Sequence, residues 1–536
     1  AAIVKRCLAK DPVGRYESTE DLARDLKEVP ETPSPWRARR KNLWRAAAVL
    51  VALLAVVLGP SLIGLWDHLT GRAGPASIES IAVLPLRNLS GDPEQEYFAD
   101  GMTETLITNL TKIGALKVIA RHSAMRYKET DLSSAEIAKE LGVDAVVEGS
   151  ALRVGDSVRI MAQLIDPETE QALWAESYER TLENVLVLQG EVARAIAGQL
   201  EVALTPEDTK RLAAARPVNP EAHDAYLKGS YYWDKLTPED LDTAERYFEL
   251  AIEKDPSYAP AYAGLSNVWG GRTQMGLAPP LEARPKRMAA ALKAVELDGS
   301  SAAAHEALAR GMTWTDWDWA GAEPEWRRAL EIDPNAASAH AYFAHFLAIT
   351  GRIDEALRHS ERAIELDPFN ALFHGLYSVV LCGARRYDDA MAAAHTALTM
   401  DPGLPVAARL CGLMTKEMRD EHLALRRDHI ARDAELLAAF EQGLAEAGYE
   451  GAHRRGADLM AARYEESGGP SGSVRPDIIA FFYLNAGDYG RSIDWLEKAL
   501  ERHEPNLPYA RLDPSWDPLR SDPRFQGLLR RMNLAE

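Results

Sequence analysis

The chain reads as a multidomain protein: a single transmembrane helix, a small α/β domain with a mixed sheet, then an all-α solenoid. Three observations predict this. Residues 46–66 run 21 positions without a charge, residues 77–205 alternate short apolar strands with amphipathic helices, and beyond Pro217 Asp-Pro pairs recur about every 34 residues. Length agrees, since 536 residues exceed the roughly 250–300 at which a single hydrophobic core stops growing.

Composition narrows the function classes. At 46% hydrophobic and 26% charged the chain is neither largely disordered nor of low complexity. A formal charge of −20 argues against a nucleic-acid partner, because phosphates would be repelled by most of the surface. Cys7, Cys382 and Cys411 form no CxxC pair and cannot build a disulfide framework. Cys382 and Cys411 read best as small buried helix residues, with a cross-link as the alternative.

As a helix, residues 46–66 would span about 31 Å, against a hydrocarbon core of about 30 Å. Trp44 and Trp66 flank the segment, where indoles favour the interface. Arg37, Arg39, Arg40, Lys41 and Arg45 precede it, making 31–45 a basic juxtamembrane linker. The positive-inside rule then puts residues 1–45 in the cytoplasm and 67–536 in the periplasm, as a single-pass inner-membrane protein. Within residues 1–30, Ile3, Val4, Cys7 and Leu8 have helical spacing, and Ser18 with Asp21 forms a capping-box-like pair. The string carried by Cys7, Leu8, Lys10, Asp11, Pro12, Arg15, Tyr16, Ser18, Asp21 and Leu22 resembles the last two helices of the C-terminal lobe of bacterial serine/threonine protein kinases. The resemblance implies a truncated kinase end. The glycine-rich loop, strand lysine, HRD-type loop and DFG-type aspartate are absent from the sequence, so no kinase activity is expected of this chain.

From residue 77 the pattern predicts strands over 80–86, 116–120, 144–153, 157–165 and 172–178, with helices over 96–113, 134–141 and 182–200. The stretches IAVLPLRNLSGDPEQEYFADGMTETLITNL and GVDAVVEGSALRVGDSVRIMAQLIDPETEQALWAESYER resemble the TolB N-terminal/FlgO-like domain. That resemblance implies a non-catalytic interaction domain. Asp100 and Glu104 read as a solvated carboxylate face, and Arg121-His122-Ser123 as a surface loop. No residue reads as catalytic, cofactor-binding or metal-ligating, and His340 and His345 do not share a helix face well enough for zinc.

Beyond Pro217, Asp255-Pro256, Asp333-Pro334, Asp367-Pro368 and Asp401-Pro402 end amphipathic helices, with Asp298-Gly299 as a degenerate member. The last three intervals are 35, 34 and 34 residues. Small residues recur at fixed offsets, at Ala244, Ala322, Ala356 and Ala390 and again at Ala251, Ala329, Ala363 and Ala397. Alanine suits positions where two antiparallel helices approach closely. The region resembles the tetratricopeptide (TPR) family. Residues 218–402 are assigned to TPR repeats, 403–475 to a helical region of uncertain register, and 476–536 to a terminal TPR-like repeat and cap. An insertion of about nine residues is expected within 270–285. Trp314, Trp317 and Trp319 are candidate groove aromatics, although packing between helices is the favoured reading for them.

The leading expectation is an extracytoplasmic protein-interaction and sensor module of a receptor-like kinase, binding a protein or peptide on its solenoid, without a cofactor and with a homodimer allowed. The alternatives are a cell-envelope scaffold without kinase output, and ATP-dependent protein kinase activity inherited from a missing N-terminal lobe.

Overall fold

A computed structural model describes Cys7 and residues 18–27, 78–200, 204–206, 208–209, 218–402, 423, 427, 430–431, 433–469 and 474–534. Two compact units, Ala1–Ser77 and Ile78–Glu536, make up the chain. In the first, helix α1 (Thr19–Lys27) begins after Ser18, whose Oγ accepts from the Asp21 N–H at 3.2 Å. Most of the kinase-like string lies outside the described residues.

The predicted fold class and localisation need correction. They included a transmembrane helix over 46–66 and a single-pass inner-membrane placement. Residues 46–66 lie outside the described residues, and among the described residues no helix is long and apolar enough to cross a membrane. The described fold is mostly helical, with one small mixed sheet.

That sheet has β1 (Ser80–Val83), β2 (Arg87–Asn88), β3 (Lys117–Val118), β4 (Ala145–Val154), β5 (Ser157–Asp166) and β6 (Gln171–Thr181), in the order β3-β1-β4-β5-β6 with β2 also beside β4. Pairings of β1 with β3 and β4 are parallel, and β4-β5-β6 is an antiparallel meander. Period-two alternation sends Ile81 and Val83 to one core and Ala82 and Leu84 to another, so β1 is covered on both faces. Helices α2 (Glu96–Thr111) and α5 (Val185–Gln199) fill the first face. The second is covered by α4 (Ser134–Leu141), which opens on a Ser133–Glu136 capping box and stops at Gly142 in the left-handed region. The short helix α3 (Arg121–Met125) stands where a surface loop was expected.

Next comes a run of antiparallel helix pairs: α6 (Pro220–Trp233) with α7 (Pro238–Lys254), α8 (Ala259–Gln274) with α9 (Pro280–Leu297), and α10 (Ala302–Gly311) with α11 (Trp319–Ile332). Two more follow, α12 (Ala337–Ile349) with α13 (Ile353–Leu366) and α14 (Ala371–Gly383) with α15 (Tyr387–Met400). This is an all-α, TPR-like solenoid of helix pairs. Each second helix keeps its ladder up to the turn residue, as where the Asp333 N–H donates to Ala329 O and that of Asp367 to Ala363 O, both at 2.9 Å. In the Asp-Pro turns the proline that follows has no N–H to continue with. All eight repeat alanines are 0–1% exposed. The extra residues of the second pair lengthen both of its helices.

In the 403–475 region, α16 (Ala434–Glu466) is two helices folded back at Ala447 and Gly448. They cross so closely that a Cβ on Gly443 would lie 2.2 Å from the Gly451 carbonyl oxygen, which only glycine permits. A last pair, α17 (Pro476–Asn485) with α18 (Tyr489–Glu501), leads through short turns to α19 (Pro523–Arg531).

Candidate binding cavity

Two parts of the chain lie against the repeats. The C-terminal segment crosses from α10 to α14: the Tyr509 hydroxyl bonds Trp314 Nε1 (3.3 Å) and His345 Nδ1 (2.8 Å), and Arg511 Nη1 donates to Ile349 O (2.7 Å). Further along, Trp319 Nε1 donates to Met532 O at 2.7 Å, and Arg385 holds Asp517 with two bonds. On another side the α/β domain docks on the repeat turns. Asp333 accepts from the Thr111 hydroxyl (2.8 Å), and Asn335 Nδ2 donates to the carbonyls of Thr111 and Leu116, satisfying the end of α2. Asp367 accepts from both the N–H and the hydroxyl of Ser123, and the Ala120 N–H donates to Leu366 O at 2.7 Å. Against α6, Asp224 bonds Tyr97 and Arg153, and Leu227 fits over Gly101, whose Cβ would lie 2.6 Å from it.

Between these parts lies a cavity of about 2570 Å³, lined by the α/β domain, the repeats and the C-terminal segment. Its electrostatics differ from place to place. At the seam with the α/β domain, Arg121 sits 2.5 Å from Asp234 and 3.8 Å from Glu104. Desolvation raises both carboxyls against the pull of Arg121, and each still meets solvent (35% for Glu104, 41% for Asp234), so this ion group contributes little to stability. Asp333, 6% exposed, is pushed up to about 6 by burial, although the bonds from Thr111 and Asn335 oppose the shift. On the repeat side Arg287 is 5% exposed, and burial with Arg310 nearby pulls its guanidinium down to about 9. Arg310 lies over the Tyr342 ring at 4.1 Å and 3.7 Å from Glu306.

Of the candidate groove aromatics, Trp314 reaches the cavity edge but is 5% exposed and meets Trp326 and Tyr342 edge-on. Trp317, also 5% exposed, stacks on His503 at 3.9 Å, and Trp319 packs on Phe346. The three indoles join repeats to the C-terminal segment. Two sequence readings fail here. Asp100 is 5% exposed and pairs with Lys128 at 2.7 Å, so it is no solvated face. Ser123 is fully buried at the seam. Cys382 is disulfide-bonded and 4% exposed, and Cys411 lies outside the described residues. Arg287 escaped the sequence reading, because an arginine beside Arg284 and Lys286 in an alanine-rich helix looks like a surface residue.

Comparison with known proteins adds three findings. Residues 77–195 match the family described as HilA/YgeH-like transcriptional regulator, second domain. The TolB N-terminal/FlgO-like resemblance remains an expectation beside that match. A putative adenylate cyclase 3 of Rhizobium meliloti (strain 1021) is 39% identical over 243 residues, 44% of this chain and 40% of its own length. The chain therefore spans about two fifths of this curated relative, whose name gives no support to a kinase parent. Among solved structures, the TPR protein YrrB is 23% identical over 35% of this chain and 88% of its own, with a TM-score of 0.25. A thermophilic TPR protein of Thermus thermophilus is 15% identical over 38% of this chain and 98% of its own, with a TM-score of 0.30. The repeat assignment rests on the helix pairs themselves.

Proposed function

We propose that this chain is a non-enzymatic protein-interaction module that seats an extended peptide in the cavity walled by its solenoid, and that it serves as the sensing part of a signalling enzyme. The carrying observation is the cavity itself, whose 2570 Å³ exceeds the roughly 300–1,000 Å³ of a small-ligand pocket. Helical repeats use such inner surfaces to hold extended partners. The C-L-x-K-D-P string around Cys7 supports a serine/threonine kinase as that enzyme. A second reading, an adenylate cyclase, is supported by the name of the Rhizobium relative.

Selection from a displayed random-peptide library tests the module. Enriched peptides are expected to bind the full chain and to lose binding to Ala303→Trp, which fills the cavity from an exposed wall position on α10. Peptides that bind the variant as well as the parent chain would overturn the reading.

A further inference from the structure

We propose that strand β6 pairs edge to edge with β6 of a second copy of this chain, antiparallel and centred on Tyr178. None of the strand's residues lines the cavity, so this inference stands apart from the peptide reading.

The first observation is an open sheet edge. β6 is the last strand of its sheet, and β5 is its one strand neighbour among the described residues. Its register with β5 is regular from Trp174 to Thr181, since the irregularity at Leu164/Ile165 falls beyond Trp174. The Leu182 N–H donates to Asp156 O, one rung past the Ser157–Thr181 pair. Backbone groups alternate sides along a strand, so those of Tyr178 and Arg180 also turn toward β5, and those of Ala175, Ser177, Glu179 and Thr181 turn outward. Arg180 Nη1 donates to the Glu179 carbonyl at 2.8 Å, a side chain standing where a neighbouring strand would bond. Over 175–181 every residue but the half-buried Tyr178 is exposed. No proline or lysine interrupts the stretch, although these are common ways of blunting such an edge.

The second observation identifies the occupant. In a two-fold antiparallel pair centred on Tyr178, Glu176 of each copy stands opposite Arg180 of the other. Ser177 then faces Glu179 and Ala175 faces Thr181, the residues whose backbone groups turn outward. Centring the pair on Glu176 or Glu179 would set two carboxylates directly against each other, and centring it on Ser177 would match neither charge with its opposite. The present partners of these charges are easily shared. Glu176 accepts from the Tyr178 hydroxyl at 2.6 Å, and Arg180 reaches Glu191 at 2.8 Å in a solvent-exposed pair worth little. A strand of unrelated sequence would satisfy the edge but not this charge pattern.

The test is light scattering of the full chain over a concentration series, with charge-reversed variants. The parent chain is expected to rise toward twice its 59.0 kDa. Glu176→Arg and Arg180→Glu should each weaken self-association about tenfold or more, because the facing pairs become like-charged. Mixed in equal amounts, the two variants should associate again, since each arginine then faces a glutamate. A role confined to the fold of one copy would not give that recovery. Ser177→Pro deletes an outward N–H that β5 does not use and should also weaken self-association; it serves if a reversed chain does not fold. A parent chain that stays at 59.0 kDa throughout would overturn the pairing. So would self-association that the reversals leave unchanged, or no recovery on mixing.

Discussion

Four turns of the solenoid share one design and meet two environments. At Asp255 and Asp298 the carboxylate accepts from the N–H and hydroxyl of a serine two residues on, Ser257 and Ser300, at an exposed edge. At Asp333 and Asp367 the carboxylate is buried: Asp333 keeps the N–H of Asn335 two residues on and also accepts from Thr111 of the α/β domain, while Asp367 accepts from Ser123, whose Oγ takes the Phe369 N–H. The helix-ending role is common to all four, and the docking role belongs to two. One repeat position can therefore serve local geometry or join domains, depending only on what is brought against it.

Removing the carboxylate should separate these roles most clearly. Asp367→Ala leaves the buried Ser123 N–H without its acceptor and frees Asn370 Nδ2, and is expected to cost about 3 kcal/mol. Asp255→Ala loses bonds at an exposed turn and should cost under about 1 kcal/mol. Urea unfolding gives the two values, and hydrogen exchange of the α3 amides reports whether the α/β domain has loosened. Equal costs would show that docking adds nothing to the turn.

Proton binding sharpens the contrast. Burial lifts Asp333 from the usual 3.8 to about 6, with Glu306 adding to the rise while Thr111, Asn335 and Lys112 oppose it. The folded chain therefore holds a proton there that the unfolded chain has lost. The stability from this group is fully present below about pH 4 and is lost as pH rises through about 6, a change on the order of 2–3 kcal/mol. Asp333→Asn should remove that slope, as read from unfolding midpoints between about pH 4 and 7. A slope that persists in the variant would assign it to other carboxyls raised by burial, Glu306 first.

The parts legible in the sequence were those set by local chemistry. Asp-Pro ends amphipathic helices at these repeats, alanine marks a close helix approach, and the continuous apolar run from Ile81 to Leu84 marks a buried strand. The docking of the α/β domain depends on pairs such as Thr111 with Asp333, 222 residues apart, which leave no periodic trace. The same holds for the burial of Arg287, which depends on residues of neighbouring helices such as Gly270. Ser123 was misjudged because a short polar run reads as solvent-facing unless its distant partner is known.

Single hydroxyls extend the comparison to smaller effects. Ser123 Oγ donates to Asp367 and accepts from the Phe369 N–H at 2.9 Å, so Ser123→Ala should cost about 1–2 kcal/mol. Ser257→Ala removes a similar bond to Asp255 at 2.6 Å, in solvent, and should fall within about 0.5 kcal/mol. A matched pair of melting curves decides it, and a cost at Ser257 equal to that at Ser123 would mean that burial is not what separates the turns.

The least conspicuous device lies six residues past each turn. Tyr262, His305, His340 and His374 bond the carbonyls of Pro256, Gly299, Pro334 and Pro368, tying each first helix to the turn before it. His340 shows how histidine serves a part-buried copy. Its Nε2–H donates to Pro334 O, so its Nδ1 is left to accept from His359 Nδ1–H at 2.8 Å. Burial lowers both rings, His340 to about 4, which keeps the pair neutral. A depressed histidine is more easily protonated once unfolded, so this contribution is present above about pH 6.5 and is lost as pH falls toward 4. At about pH 7.5 His340→Phe is expected to cost about 1 kcal/mol, and Tyr262→Phe, at an exposed turn, only a few tenths. The difference should shrink at about pH 4.5, where the parent chain has already lost part of the histidine contribution. A gap that stays constant with pH would mean that ring packing, and not the shared proton, is what His340 supplies.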